Sequence, residues 1–495
     1  MQYLLCLAYI AFFLFLIQKL KFFETPGLSK KNLSLIFLLK LAGGFLLWAI
    51  YTYYYTDRST SDIFKYYDDS KAIYDTLFTA PSDFFKMLFG IGNDTPHFAP
   101  YYEQMNNWHR RLDSNLYNDS HFMIRLNAVL RLISLGSYHV HTIIICFLSL
   151  MGLTGIYHFF AGGLVNKSKL FLASVFLLPS VLLWTSGVIK EALIVILLGA
   201  LLYSVKKIME RRQVFYSLVC MALSLLLLVA IKFYIVVALA PALAAFLWSY
   251  KNKIGTIFIK YMVSIFLFVL AGQAVRTFTP AYDPIQVISI KQKDFLYIST
   301  AAVYLKNDTA TIFLKPEEKN NLLTSDSIHY TLKAGSVFHY FKSGSDDTLS
   351  GINQSDTNRF VFIEEIAKTS SRINLPPLKA TPASLLKNMP LALYNTLLRP
   401  IIPSKQLMIS FAAIENWLII LFICLCLIFS KPFKTVDWNY VLMPLTFSLI
   451  LYLLIGWITP VLGAIVRYKV PALPFLLIAF LYLLDMEKLK RVFRV

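Results

Sequence analysis

Residues 177–196 read LLPSVLLWTSGVIKEALIVI. Two apolar runs are broken by Trp184-Thr185-Ser186-Gly187 and then by Lys190 and Glu191. A charged pair is costly in a lipid-facing segment unless it lines a cavity or reaches the membrane boundary. The stretch therefore reads as a polar elbow between two separate membrane crossings. That reading predicts a chain that repeatedly turns back on itself, with short charged turns at one edge.

Composition agrees. The 495-residue chain is 57% hydrophobic and 15% charged, too little polar surface for a soluble protein of this length. About eleven apolar runs have the length needed to cross a ~30 Å hydrocarbon core. They lie at 2–19, 33–54, 139–160, 170–187, 189–205, 214–231, 233–249, 255–273, 408–430, 440–458 and 470–484. The first carries no basic segment before it and no small-residue cleavage signature after it, so it reads as a retained helix rather than a signal peptide. The expected fold is an all-α polytopic membrane protein of about eleven transmembrane helices.

The net charge of +19 is placed as a topology signal. Lys19, Lys21, Lys30 and Lys31, then Lys167 and Lys169, then Lys206, Lys207, Arg211 and Arg212, mark alternate short loops. Lys251, Lys253, Lys431, Lys434 and the tail residues Lys488, Lys490, Arg491 and Arg494 continue the pattern. One orientation puts every cluster in the cytoplasm, with the N-terminus outside and the C-terminus inside. No basic stretch is interleaved with stacking aromatics, which argues against nucleic acid as a partner. The five cysteines fall within the apolar runs and offer no disulfide framework or thiolate metal site.

Five segments follow. Residues 1–54 hold N-terminal membrane helices, 55–138 a first outer loop, 139–274 a transmembrane core, 275–407 an outer insert, and 408–495 C-terminal membrane helices with a basic cytoplasmic tail. In the first loop, Ser59-Thr60-Ser61-Asp62 reads as a helix start. PSDFFKMLFGIG (81–92) and HFMIRLNAVLRLISLG (121–136) read as amphipathic juxtamembrane helices. In the insert, FLYISTAAVYLKNDTATIFL (295–314) and SVFHYFKSG (336–344) carry strand-like residues, while NDT and SGSDDTLSG supply turns. ASLLKNMPLALYNTLL (383–398) reads as another interfacial helix, making the insert a small mixed α/β unit.

The charges that carry chemistry come from distant parts of the chain but fall near one membrane plane. Lys190 and Glu191 sit in the elbow, Lys232 in the next outer turn, Glu415 near the outer end of a span, and Arg467 and Lys469 before the last span. Asp57, Asp62, Asp68 and Asp69 follow the second span on the same side. Carboxylates there can act as a general base, and Arg or Lys can hold a phosphate.

This arrangement resembles the GT-C superfamily of integral-membrane glycosyltransferases, in particular its protein O-mannosyltransferase and aminoarabinose transferase branch. TSDIFKYYDDSKAIYD (60–75) is similar to the first outer loop of that family, PSVLLWTSGVIKEAL (179–193) to its next outer turn, and RYKVPALPFLL (467–477) to its late arginine loop. The resemblance implies Asp62 as catalytic base and Glu191 as an orienting acid, both catalytic residues. It implies Arg467 with Lys232 or Lys190 on a phosphate leaving group, and Tyr66, Tyr67, Tyr468 and Asp69 as further substrate contacts. The implied donor is a polyprenyl-phosphate-linked sugar bound from the membrane lipids, and the acceptor a glycan, lipid or protein. Apart from the resemblance, the lack of a disulfide framework and the plain topology suit a bacterial inner membrane. Members of the family differ in metal use, so a divalent cation (Mg or Mn) is left open and no residue is assigned as its ligand.

Simpler roles stand beside these. Asp62 suits a helix N-cap, Asp68 and Asp69 a solvated helix face, and Lys190-Glu191 a turn pair. Lys232 suits a snorkelling lysine, Arg467 a headgroup anchor, and Glu415 a hydrogen bond within the bundle. His97, His109 and His121 lack metal-ligand spacing. Competing functions are a polysaccharide polymerase or ligase with a polyprenyl-pyrophosphate donor, a noncatalytic assembly protein, and a transporter. Transport is disfavoured because the spans read as free of charge in the middle.

Overall fold

A computed structural model describes residues 2–55, 58, 61–108, 118–250, 254–300, 371–403 and 406–493, with seven strand segments between 303 and 364. Among the described residues, nine helices are long and apolar enough to cross a membrane. The protein is a multi-pass helical membrane protein.

In chain order, α1 (Gln2–Lys19) and α2 (Lys30–Ala49) lead through a π turn at Ile50–Tyr54 into the first long connection. That connection holds α3 (Lys65–Thr79), α4 (Pro81–Phe89), α5 (Ala99–Tyr102) and α6 (Asp119–Ser134). Then come α7 (Tyr138–Phe160), α8 (Ser168–Leu172), α9 (Pro179–Trp184), α10 (Lys190–Met209), α11 (Val214–Ser249) and α12 (Ile254–Phe278). The second long connection begins with α13 (Pro284–Thr300) and ends with α14 (Pro382–Leu393). The chain closes with α15 (Leu407–Ile428), α16 (Trp438–Ile458), α17 (Leu462–Tyr468), α18 (Leu473–Leu483) and α19 (Met486–Phe493).

Two expected spans take a different form. Residues 170–187 are not one helix: α8 passes into a π turn at Ala173–Leu177, and α9 starts afresh at Pro179. Proline has no N–H to continue the ladder and its ring clashes with the preceding turn. The runs 214–231 and 233–249 are two helices, as expected, labelled together as α11 and separated by a break at Lys232, whose backbone is extended (φ −155°, ψ 91°). The final run begins earlier than 470, because α17, a short 3-10 turn and α18 join over Leu462–Leu483. Arg467 therefore projects from a helix and not from a loop.

Two ends of the bundle can be told apart by their contacts. At one end Tyr482 Oη donates to Phe160 O (2.7 Å), Lys167 Nζ to Leu481 O (2.7 Å), and Asn439 Nδ2 to Phe246 O (3.0 Å). Lysines there satisfy helix carbonyls that have no intrahelical partner. At the other end lie the two long connections, with Lys232 beside Glu191.

In the second connection, the expected strand at 295 is helix instead: α13 runs through Thr300. Strands β1 (Val303–Lys306), β2 (Thr309–Leu314), β3 (Leu322–Ser325), β4 (Tyr330–Leu332), β5 (Val337–Lys342), β6 (Ser345–Ser350) and β7 (Phe360–Glu364) follow. Five form a sheet in the order β6-β5-β1-β2-β7, and β3 pairs with β4. The SGSDDTLSG segment read as a turn contributes β6, antiparallel to β5. In the first connection, α4 and α6 form where expected, with the apolar faces of Phe84 and Met87, and of Met123 and Ile124, buried.

The centre of the bundle is close helix packing. A Cβ at Gly199 of α10 would lie 1.9 Å from Gly152 O of α7. Small residues let membrane helices approach at backbone distance, where dispersion contacts replace the missing hydrophobic drive. Gly199→Leu is expected to abolish a monodisperse peak in size-exclusion chromatography of the detergent-solubilised protein. Gly255→Leu, where a Cβ meets nothing within 4 Å among the described residues, should elute as the unaltered chain does.

Candidate functional site

The elbow is fixed from below. Lys40, in the middle of α2 and fully buried, donates to Thr185 Oγ1 (2.6 Å) and Thr185 O (3.1 Å), holding the carbonyl end of α9. Gly44 lets the elbow lie directly on α2, since a Cβ there would be 2.7 Å from Ser186 O. Lys40 corrects the reading of spans free of charge at mid-length. An ionisable residue inside a span is itself a functional signal, and this one was legible in the sequence.

From that elbow α10 begins, with Glu191 in its first turn. Glu191 Oε1 is 3.0 Å from Lys232 Nζ and 3.2 Å from Arg467 Nε. The same guanidinium donates through Nη1 to Asp62 Oδ2, while Asp62 Oδ1 pairs with Lys65 Nζ. Lys190 Nζ meets Asp119 Oδ2 at 2.6 Å and stands 4.9 Å over the Tyr66 ring. The Tyr468 ring lies under both Lys232 (4.1 Å) and Arg467 (5.2 Å), and Trp184 flanks Arg467 at 5.8 Å. Cations from α3, α10, α11 and α17 thus meet the carboxylates of Asp62, Glu191 and Asp119.

Asp62 is not a helix N-cap. The helix starts at Lys65, Asp62 lies in the preceding turn, and Phe64 N and Lys65 N donate to Ser61 O (3.0 and 3.1 Å). The Asp62 carboxylate is therefore free to meet Arg467. Burial by itself would raise its pKa, but Arg467 and Lys65 outweigh this and hold it well below the usual carboxylate range. Lys65 is raised in turn: burial opposes its charge and Asp62 overcomes the opposition. The Tyr66 hydroxyl is lowered: burial would raise it, but Lys190 and Lys65 together outweigh that.

Accessibility grades across the cluster. The Glu191 side chain is fully buried, Lys232 10% exposed, Arg467 13% and Asp62 28%. Asp62 is thus the rim and Glu191 the floor. Glu191 Oε2 is buried with no hydrogen-bond donor among the described residues.

Other expected site residues lie elsewhere. Tyr67 Oη donates to Gly136 O, and its ring is covered by Arg131 at 4.0 Å. Asp69 accepts from Asn106 N (3.0 Å), Asn107 N (2.9 Å) and Asn107 Nδ2 (2.9 Å), so it ties the first connection together. Both point away from the cluster, and Asp69 is buried, not a solvated face. Tyr67 stands one place after Tyr66 and so points to a different side of α3. Asp69, three places on, lies almost a full helical turn further along the axis. Asp68 pairs with Arg58 at 2.7 Å. Lys469 turns away from Arg467 and donates to Asn416 Oδ1 (3.1 Å). Glu415 accepts from Ser180 N (2.9 Å) and Ser180 Oγ, within the bundle. His97 pairs with Asp83 (2.7 Å) and His121 contacts Trp108 O (2.8 Å); Asp57 and His109 lie outside the described residues.

Lys65, Tyr51, Trp184 and Asp119 belong to the cluster's surroundings and were not singled out from the sequence. Lys65 carried a signal, standing three residues after Asp62. Tyr51 is within electrostatic reach of Arg467, Asp62 and Glu191. Among the described residues, no three His, Cys, Asp or Glu side chains come together as metal ligands. Asp62 and Glu191 are instead bridged by a guanidinium, an arrangement that does not fit a divalent ion. Comparison of the chain with protein-family models, curated proteins and solved structures matches none of them.

Removing one member of a buried ion cluster leaves uncompensated charge, at a cost of about 3–5 kcal/mol. Arg467→Met is expected to lower thermal stability in detergent markedly. The Glu191→Gln/Arg467→Met pair should recover part of that loss, giving a non-additive cycle. Additive losses would show that the two side chains do not interact.

Proposed function

We propose that this chain is a membrane glycosyltransferase of GT-C type, moving a sugar from a polyprenyl-phosphate donor to an acceptor hydroxyl. The observation that carries this reading is Arg467 held between Asp62 and Glu191, with Lys65, Lys190 and Lys232 in the same cluster. A cation-rich site that is buried on one side and reachable on the other suits a lipid-borne phosphate. Electrostatics are strongest where water is excluded.

In the reaction, the acceptor oxygen attacks the anomeric carbon and its proton passes to the Asp62 carboxylate. The bond from the anomeric carbon to the phosphate oxygen breaks, and its electron pair stays on that oxygen. The phosphate thereby changes from a singly charged diester to a doubly charged monoester. Arg467, Lys232 and Lys190 stabilise the charge that develops. Glu191, fully buried beneath them, orients its basic partners Arg467 and Lys232 toward the phosphate. Tyr66 and Tyr468 supply ring faces for the sugar.

The membrane reading extends accordingly. Added to the nine long apolar helices, a second crossing within α11 and one for the broken 168–184 segment give the eleven expected. The N-terminus then lies outside, the basic tail in the cytoplasm, and the cluster faces the outer side of a bacterial inner membrane. A second reading, a polymerase or ligase with a polyprenyl-pyrophosphate donor, is favoured by the excess of cations over carboxylates in the cluster.

The test supplies membranes containing the chain with a radiolabelled polyprenyl-phosphate sugar, or with a polyprenyl-pyrophosphate saccharide, and measures transfer. Asp62→Asn and Arg467→Lys are each expected to slow transfer by about a hundredfold or more. Transfer only from the pyrophosphate donor selects the second reading. Full activity of both variants would overturn a catalytic role for the cluster.

A further inference from the structure

We propose that Asp62 is a built-in occupant of the phosphate site, and that a lipid phosphate displaces it from Arg467 and Lys65 before the reaction begins. This rests on the phosphate-donor reading above and adds a regulated step to the same site.

The resting contacts are those of an anion already bound. One Asp62 oxygen meets Arg467 and the other meets Lys65. A phosphate presents the same feature, two charged oxygens on one centre, to a cation pair of the same spacing. Arg467 cannot move to meet a ligand elsewhere, since it projects from α17 and is held by Glu191 and flanked by Tyr468 and Trp184. Glu191 cannot leave either: it is fully buried in the first turn of α10, a helix that starts from the elbow anchored by Lys40. Asp62 is the movable member. It is the most exposed of the three and sits in the turn ahead of α3 rather than in a helix.

Charge gives a second, independent reason. With Asp62 in place, Lys65, Lys190, Lys232 and Arg467 are opposed by Asp62, Glu191 and Asp119. With Asp62 moved aside, two positive charges of the cluster are uncompensated among the described residues. That surplus equals the charge of the phosphate monoester left when the sugar departs, so the site is most complementary to the leaving group. The exchange also resolves a chemical conflict. A carboxylate bound to two cations is a poor proton acceptor, whereas the same carboxylate released beside the bound donor can receive the acceptor's proton. Donor binding would thus create the base, and an acceptor alone would meet an inactive site.

The experiment measures binding of farnesyl phosphate and of inorganic phosphate to the purified full chain in detergent, by calorimetry. If Asp62 competes for the site, removing its charge raises the competent fraction. Asp62→Asn, and Asp62→Ser as a second variant, are then expected to bind farnesyl phosphate about tenfold more tightly. Arg467→Met should lose binding. Tightening toward farnesyl phosphate alone assigns the site to a lipid phosphate; tightening toward both assigns it to the phosphate group itself, and either supports displacement. Unchanged or weaker binding by both Asp62 variants overturns it. In the unaltered chain, carbodiimide labelling of Asp62 followed by mass spectrometry should rise on adding farnesyl phosphate, because the freed carboxyl protonates more readily. Slower labelling would count against displacement. None of these readouts involves sugar transfer, so the exchange can stand even if the glycosyltransferase reading falls.

Discussion

A guanidinium buried near the end of a helix bundle has to be compensated, and the site is organised by how Arg467 is compensated. Desolvating a charge costs several kcal/mol unless partners and hydrogen bonds replace water. Here the partners come from opposite regions of the chain: Glu191 from the elbow helix and Asp62 from the first connection. Any rearrangement of the first connection is therefore coupled to α17, and any shift of the elbow to both. The cluster serves as a joint between the membrane helices and the segments that cover them.

The joint is supported asymmetrically. Below it, Lys40 and the glycine contacts fix the elbow at backbone level, with little room to adjust. Above it, Asp69 gathers the backbone of Asn106 and Asn107, and Arg131 binds Ser70 Oγ (2.8 Å) and Tyr67 O (2.6 Å). These bonds hold α3 against α6 but do not reach the turn carrying Asp62. That turn is seated instead by the buried side chains of Ile63 and Phe64, with the Asp62 carboxylate 28% exposed beside them.

The break in α11 has a similar effect. By leaving helical geometry at a single residue, the chain places the Lys232 backbone in extended form and its ammonium beside Glu191. A snorkelling lysine would have pointed to the interface. This one is drawn inward, because a buried carboxylate is a stronger attractor than water reached at the cost of an unpaired acid.

Composition and periodicity by themselves determined that the chain is a multi-pass helical membrane protein with two long connections at one end. Lipid admits only helices of a given length, and that constraint is written directly in the apolar runs. The residue types of the cluster were legible for the same reason: Glu191, Lys232 and Arg467 are expensive where they stand, so their presence is itself a signal. What only the tertiary structure decided is which of them meet. Tyr66 joins the cluster while Tyr67 packs under Arg131, Asp62 joins while Asp69 ties a loop, and Lys469 turns from Arg467 to Asn416. Those outcomes depend on where α3 begins, where α11 breaks and how α17 is rotated. Such angles are set by packing between segments hundreds of residues apart, and no local pattern records them.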